Sequence, residues 1–383
     1  MAYQFTVPSR CVFGSGALDQ CEMTIKGYGK KAFIVTGKVV TKSGILKKLT
    51  DRLDTWGIEY EVFNEIIGEP TDEMIVEGVK AYKKAGCDFT IGIGGGSPLD
   101  SAKAIMAMTV LDGEIADYIG KELEGEFPPL VLIPTTAGTG SETTKFTVVT
   151  DTKKDIKMLL KGEKLLPTLA VVDYELTISA PKGVTAATGM DALTHAVEAY
   201  TSRKANPLTD MYALSAIKRI FKYLPKAYKD GENKKAREEM ALAAFEAGVC
   251  INNSSVTIVH GMSRPIGALF HVPHGISNAM LIKECLTFAV DGCYEKFANI
   301  ARKIGVVGTE TADEVAANAF LEALERLCET CEIPTLKQYG IDKEKFDSLV
   351  DRMATDAIDS GSPGNTVKEV TKDDVIKIYQ KLW

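Results

Sequence analysis

The amino-acid sequence predicts an α/β domain with a largely parallel sheet over residues 1–180, followed by an all-helical domain over residues 181–383. Three observations carry that reading. Up to Ala180, short apolar runs alternate with amphipathic stretches in a strand–helix rhythm. After Pro181, apolar residues recur at spacings of three and four almost without interruption. A glycine-rich turn follows an apolar run in the first part, whereas all four histidines of the chain fall in the second.

In the α/β part, AFIVT (32–36) reads as a buried strand, followed by a helix from about Gly44 to Trp56. EYEVF (59–63) is the next strand. Thr71 is placed to cap a helix that closes at Gly86, after which FTIGI (89–93) returns as a strand. LVLI (130–133), KFTVVTD (145–151) and AVVD (170–173) supply further strands, the last two separated by a connecting stretch. The helical part shows breaks near 205–207, 230–233, 265–275 and 305–308, and reads KAREEMALAAFEAGVCINNSSVTIVHGM as one long helix, kinked or facing a cavity at its polar NNSS (252–255).

Composition limits the function classes. A 383-residue chain with 45% hydrophobic and 25% charged residues is an ordinary soluble globular protein with room for two domains. A net charge of −7 argues against nucleic acid or an anionic membrane as partner. The N-terminus MAYQFTVPSRCVFGSG lacks a charged region followed by an apolar core, and no stretch is long and apolar enough to span a bilayer, so a cytoplasmic location is expected. Eight cysteines in that setting read as reduced thiols, and the lone C-x-x-C pair, Cys328 and Cys331, sits in a helical pattern without a second pair.

Two loops and one histidine cluster carry the chemistry. FTIGI runs into GGGSPLDSAK, where Gly94, Gly95 and Gly96 let the backbone approach a ligand and Pro98 marks a helix start. A helix N-terminus at the carboxyl edge of a parallel sheet suits a pyrophosphate. The second loop, PTTAGTGSE, offers hydroxyls and open backbone that hydrogen-bond phosphate and ribose without adding charge. In TGMDALTHAVEAY, Asp191 and His195 stand four apart on one helix face, and His260, His271 and His274 follow in HGMSRPIGALFHVPHG. One carboxylate with two or three imidazoles makes a mixed nitrogen and oxygen site for a first-row metal such as Fe(II) or Zn(II).

With these residues in view, the chain resembles the iron-containing (group III) alcohol dehydrogenases along essentially its whole length. GGGSPLDSAK (94–103), PTTAGTGSE (134–142), TGMDALTHAVEAY (188–200), NPLTD (206–210) and HGMSRPIGALFHVPHG (260–275) fall in that family's order and approximate spacing. The resemblance implies a Rossmann-like dinucleotide-binding domain, an all-helical metal-binding domain, and a site in the cleft between them. It implies metal ligation by Asp191, His195, His260 and His274. It further implies that Gly94, Gly95, Gly96, Ser97 and Asp100 hold the cofactor pyrophosphate, with Thr135, Thr136, Thr139 and Ser141 around the phosphates and nicotinamide and Lys157 near the nicotinamide ribose. A homodimer or larger homo-oligomer is a family implication only.

Two departures bear on specificity. Many NAD-preferring members carry Asp after the first strand, whereas this chain has VTGK (35–38). Gly37 removes a carboxylate that would repel a 2′-phosphate and Lys38 would attract one, which tilts the balance modestly toward NADP(H) with NAD(H) still usable. Arg264 stands where several members have another histidine. If the helix persists through Pro265, Arg264 shares the face of His260 and is placed to grip a carboxylate or sulfonate tail. His271, left over from the ligand set, is a candidate proton relay.

The expected activity is therefore reversible hydride transfer between NAD(P)(H) and a short-chain aldehyde or alcohol, with Fe2+ or Zn2+ as cofactor. The rivals are a zinc-dependent glycerol-dehydrogenase-like or dehydroquinate-synthase-like enzyme and a non-catalytic nucleotide- and metal-binding module.

Overall fold

The computed structural model describes residues 2–154 and 156–383. Residues Thr6–Ala180 form one compact unit. Its strands are β1 (Cys11–Phe13), β2 (Lys31–Gly37), β3 (Glu59–Ile66), β4 (Phe89–Gly94), β5 (Leu130–Pro134), β6 (Phe146–Asp151), β7 (Ile156–Lys161) and β8 (Leu169–Val172). Its helices are α1 (Glu22–Lys26), α2 (Lys38–Lys42), α3 (Ile45–Trp56), α4 (Asp72–Ala85) and α5 (Gly96–Met108).

The main sheet runs β1-β8-β5-β4-β2-β3 with every neighbouring pair parallel. Buried residues alternate between its faces with the period of two that a pleated strand imposes. Ala32, Ile34, Ile91 and Val131 pack with Ile25 of α1 and Leu49 and Leu53 of α3. Phe33, Val35, Leu130 and Leu132 face the other way, onto Ile75 and Tyr82 of α4 and Leu99 and Ile105 of α5. Covered on both sides, β4 is buried at every residue, which is why FTIGI reads as a continuous apolar run. Thr71 caps α4 as expected, its hydroxyl accepting from the Met74 N–H at 3.2 Å.

One expectation for this unit fails. KFTVVTD is a strand as expected, but the stretch taken above as a connection holds a strand too: β7 pairs with β6 in an antiparallel hairpin apart from the main sheet. Val149 opposes Met158 and Thr147 opposes Leu160, and Val149, Met158 and Leu160 all join the core that includes α5. The alternation in IKMLLK is real, but Leu159 on its outer face is 48% exposed and hides the pattern among lysines.

The second unit takes residues 181–383 with the N-terminal residues through Phe5, whose ring stacks on Tyr212 with centroids 6.1 Å apart. Its helices are α6 (Lys182–Tyr200), α7 (Pro207–Lys229), α8 (Lys234–Asn253), α9 (Ile258–Phe270), α10 (His274–Ala289), α11 (Tyr294–Ile304), α12 (Asp313–Thr330), α13 (Leu336–Tyr339), α14 (Lys343–Asp359) and α15 (Lys372–Gln380). Helix α6 is buried at every position from Gly189 to Tyr200, so it forms the centre of the unit.

The long helix expected across NNSS is two helices, α8 and α9, meeting at 102°. The break is satisfied from outside. The Asn206 amide donates to the Asn253 carbonyl at 3.1 Å, and the Asn365 amide donates to the Ser255 hydroxyl and the Val256 carbonyl at 2.8 and 3.2 Å. Conversely, no break occurs at Pro265: α9 continues to Phe270, and only residues 271–273 are non-helical. All eight cysteines are free, and burial pushes Cys328 and Cys331 both up to about 12, the reverse of a reactive C-x-x-C pair. Among the described residues, no single helix is long and apolar enough to cross a membrane.

A buried lysine ties α5 to the start of the hairpin. The fully buried Lys103 ammonium donates to the Thr144 carbonyl and hydroxyl at 2.7 and 3.0 Å and to the Phe146 carbonyl at 2.7 Å. Nearby Glu142 is 2% exposed, and one of its carboxylate oxygens has no partner. Burial pushes Glu142 up to about 7, partly offset by a backbone hydrogen bond and the Lys103 charge, and pushes Lys103 down to about 8. A carboxyl whose folded pKa is raised binds its proton more tightly when folded, so its contribution is full below the ordinary value of 4.5 and is lost as pH rises through about 7. Lys103 acts above that window, where deprotonation of the folded form lets stability recover with rising pH. Relative to Glu142→Gln, the wild-type melting temperature should therefore fall by roughly 5 °C between pH 5 and 7.5. Calorimetric melts of both proteins across that range test this, and parallel curves would show that Glu142 does not titrate there.

Candidate active site

The two loops start side by side. Gly94 at the end of β4 pairs with Pro134 of β5, and the Thr135 N–H donates to the Gly94 carbonyl at 2.8 Å. Helix α5 then begins with Gly95 as its cap and no side chain on its first N–H groups. The threonine-rich loop lies directly against that end. A Cβ on Gly96 would meet Thr139 Cγ2 at 2.9 Å, and one on Gly95 would meet Thr136 at 3.6 Å. Glycine at 96 is thus required by close approach. Gly95, Gly96, Ser97, Thr136 and Thr139 are all half-buried around one free helix terminus, an arrangement that takes a phosphate.

Other residues assigned above to the cofactor are engaged elsewhere. The buried Ser141 hydroxyl donates to Asp100 at 2.5 Å, and the second Asp100 oxygen accepts from the Val148 N–H at 2.9 Å. Thr147 adds a bond to the Asp100 carbonyl at 2.8 Å. Asp100 and Ser141 therefore lock the loop to α5 and β6 from beneath. The Lys157 ammonium lies 2.7 Å from Glu69, and Lys38 lies 3.7 Å from Glu65 with both side chains exposed. Gly37 ends β2 in extended backbone, its Cβ position 4.0 Å from Pro98 at the start of α5.

In the helical unit, Asp191 and His195 leave one face of α6, His260 lies in the first turn of α9, and His274 is the first residue of α10. Gly275 lets α10 start this close, since a Cβ there would meet the Ala187 carbonyl of α6 at 2.6 Å. One ligand atom from each of Asp191, His195, His260 and His274 lies within 4.8 Å of the others. The three Nε2 atoms stand 3.8, 3.9 and 3.7 Å from Asp191 Oδ1, too far for hydrogen bonds. His195 and His260 stack at 4.7 Å between centroids.

Residues 8–174 match the family described as iron-containing alcohol dehydrogenase, and residues 185–383 match its C-terminal domain. The chain belongs to the iron-containing alcohol dehydrogenase family. It is 38% identical over 381 residues to the NAD-dependent methanol dehydrogenase of Bacillus methanolicus, covering 98% of each chain. Among solved structures it superposes on an alcohol dehydrogenase from Oenococcus oeni with a TM-score of 0.96, 33% identity and full coverage of both chains. It also matches sulfoacetaldehyde reductase from Bifidobacterium kashiwanohense in complex with NAD+, with a TM-score of 0.89, 29% identity and coverage of 100% and 99%.

The residues of this family member fit a divalent metal. Burial alone would raise the Asp191 carboxyl, yet its electrostatic coupling to His195, His274 and His260 and the Asn278 hydrogen bond hold it below its ordinary value. Burial and the neighbouring His195 hold His260 well below its ordinary value, so its imidazole is neutral, as ligation requires. The ring Nδ1 of His195 is buried with no partner, and the Asn278 amide nitrogen sits among three acceptors, Asp191 Oδ1 at 2.8 Å, His260 Nε2 at 3.1 Å and His274 Nε2 at 3.2 Å. An NH2 has two protons, so one acceptor always goes without. A cation supplies what this donor set lacks.

Glu198 and Asn278 are the site residues that the sequence reading did not single out. Glu198 Oε2 lies 2.5 Å from His260 Nδ1, within hydrogen-bond distance. Both lie on ligand helices, Glu198 three residues beyond His195 and Asn278 four beyond His274. His271, by contrast, caps α9 in left-handed backbone with φ 53°; it is exposed, outside the four-donor group, and without a hydrogen-bond partner among the described residues.

Gly96→Ala should push the threonine loop off α5. Overpacking of this kind costs about 1–3 kcal/mol, so NADH affinity measured by calorimetry should fall roughly 10-fold while bound metal stays unchanged. Undiminished affinity would detach the loop contact from nucleotide binding.

Proposed function

We propose that the chain reduces a short aldehyde bearing an anionic tail, reversibly, with NAD(P)H and a divalent metal held by Asp191, His195, His260 and His274. The observation that carries the metal-dependent reading is the convergence of those four donors within 4.8 Å inside a buried helical unit. When bound, Fe2+ or Zn2+ supplies a Lewis acid for the substrate oxygen and the dinucleotide supplies or accepts the hydride. The chain's own residues do the rest. Asp191 sets the charge of the site, Gly95, Gly96, Ser97, Thr136 and Thr139 hold the cofactor phosphates, and His271 exchanges the proton with solvent.

The anionic tail rests on Arg264. Helix α9 persists through Pro265, so Arg264 lies one turn beyond His260 on the same face. Its only hydrogen bond among the described residues is from Nη1 to the Ser362 hydroxyl at 2.9 Å, and no carboxylate lies within ion-pair distance. Burial lowers its pKa, partly offset by the Glu198 charge. A guanidinium with five donors and one partner is equipped for a carboxylate or sulfonate. The sulfoacetaldehyde reductase in the same family agrees with that class of substrate. The methanol dehydrogenase relative favours a second reading, a small neutral alcohol, with the Arg264–Ser362 bond purely structural.

We infer that both dinucleotides are used. Gly37 brings no carboxylate against a 2′-phosphate, but Glu65 shares the charge of Lys38 and weakens the tilt toward NADP(H), while the methanol dehydrogenase is NAD-dependent and the sulfoacetaldehyde reductase was solved with NAD+. Cytoplasmic residence and assembly into a homodimer or larger oligomer belong to the same proposal.

The test is aldehyde reduction by anaerobically Fe2+-loaded protein, with NADH and NADPH, on neutral short aldehydes beside carboxylate- and sulfonate-bearing ones. Arg264→Ala should lower kcat/KM for the anionic aldehydes roughly 10- to 100-fold, the worth of one charge-assisted contact, and leave neutral ones nearly unchanged. Equal use of neutral aldehydes by the wild type selects the second reading, and no turnover with bound metal and cofactor selects a non-catalytic module. His271→Ala should slow turnover roughly 10-fold at pH 7 with bound metal unchanged; lost metal would instead place His271 among the ligands.

A further inference from the structure

We propose that Glu198 is the positioning residue that selects the tautomer of His260, and thereby makes this imidazole competent to bind the metal. The inference rests on the four-donor metal site described above and adds a residue to it. Glu198 is wholly buried in α6, two turns from Asp191. One of its oxygens, Oε1, accepts from the Thr257 hydroxyl at 2.7 Å and the Val259 N–H at 2.7 Å, with the His260 N–H at 3.4 Å. These donors lie at the open N-terminus of α9, whose own cap residue supplies no side-chain bond. The other oxygen, Oε2, lies 2.5 Å from His260 Nδ1.

The two halves of this carboxylate act together. Oε1 is already taken by fixed donors, and with Glu198 ionised Oε2 only accepts, which places the ring proton of His260 on Nδ1. The Nε2 lone pair then faces Asp191, the other two imidazoles and the Asn278 amide nitrogen, which lies 3.1 Å away. Because Oε1 is held by fixed backbone N–H groups, the carboxylate cannot turn away. His195 makes the contrast: its Nδ1 is buried without a partner, so among the described residues no group sets its tautomer in the same way.

Glu198→Gln separates tautomer selection from helix capping. The Gln oxygen remains the only atom able to accept from Val259 N–H, which leaves its NH2 against His260 Nδ1. Nδ1 must then accept, the proton moves to Nε2, and the metal loses a donor. Thr257→Val removes a capping bond from Oε1 and leaves the Oε2 bond intact.

The experiment is titration of each apo protein with Co(II), read by its ligand-field absorption, together with 15N spectra of histidine-labelled, zinc-loaded wild type. Glu198→Gln should bind Co(II) about 10- to 100-fold more weakly, the usual effect of losing an outer-sphere partner, with a thermal melt close to wild type. Thr257→Val should melt lower yet keep wild-type Co(II) affinity. In the wild type, His260 should carry its proton on Nδ1, a readout that holds even if a variant fails to fold. Wild-type Co(II) affinity in Glu198→Gln, equal losses in Thr257→Val, or a bare Nδ1 on His260 would each overturn the assignment. Failure of the wild type itself to bind Co(II) would instead remove the metal-site reading beneath it.

Discussion

Helix α6 is buried on every side from Gly189 to Tyr200 and still carries two carboxylates and an imidazole. Burying a carboxylate costs several kcal/mol unless it is paired and hydrogen-bonded, so the rest of the helical unit is arranged to supply partners. Asp191 is met by three imidazoles and the Asn278 amide, and Glu198 by a hydroxyl, a backbone N–H and His260 Nδ1. Both carboxylates reach the start of α9, and Asp191 also reaches the start of α10. His260 and His274 are thus brought to the buried carboxylates of one central helix.

That dependence explains which features could be read from the sequence. Spacing says which side chains share a helix face, and it placed Asp191 with His195 and Arg264 with His260 correctly. It does not say what the face meets. Glu198 looks like a routine acidic residue of an amphipathic helix, because its partners come from 59 to 62 residues further on. The same limit applies to β7, where one exposed leucine masked a true alternation, and to the α8–α9 break, where Asn206 and Asn365 absorb carbonyls that a continuous helix would have bonded internally. Pro265 shows the opposite case: a local rule against helix was overridden because α9 is packed on several sides, with Gly261 close against Pro363.

In the α/β unit the two loops were legible as a pair, since glycines after one apolar strand and hydroxyls after the next point to a single ligand at one sheet edge. The division of labour within them was not. Thr139 and Gly96 meet at the open helix terminus, whereas Ser141 and Asp100 bond each other and brace the loop. A hydroxyl in a motif serves the loop or the ligand, and residue type alone does not distinguish the two. The buried Lys103, with three oxygen partners, is the clearest sign that much of the polarity here maintains the loop's shape.

Charge balance gives a physical reason why specificity should centre on Arg264. Asp191 and Glu198 are the carboxylates of this neighbourhood, and under the proposed function a divalent ion would offset them and leave the Arg264 guanidinium without a counter-charge. Glu198 has committed both oxygens to other donors, so it offsets Arg264 only at a distance, which is how it acts on the guanidinium's proton affinity. Ser362 is a neutral partner and removes no charge. One positive charge is left in a largely desolvated setting, where a counter-charge is worth more than in water. A substrate that brings its own anion completes this balance, whereas a neutral aldehyde leaves the guanidinium to be solvated by whatever water remains. Under the proposed function, a preference for an anionic tail would arise from the desolvation of Arg264 and be expressed mainly in KM, because the tail contacts it equally before and during hydride transfer.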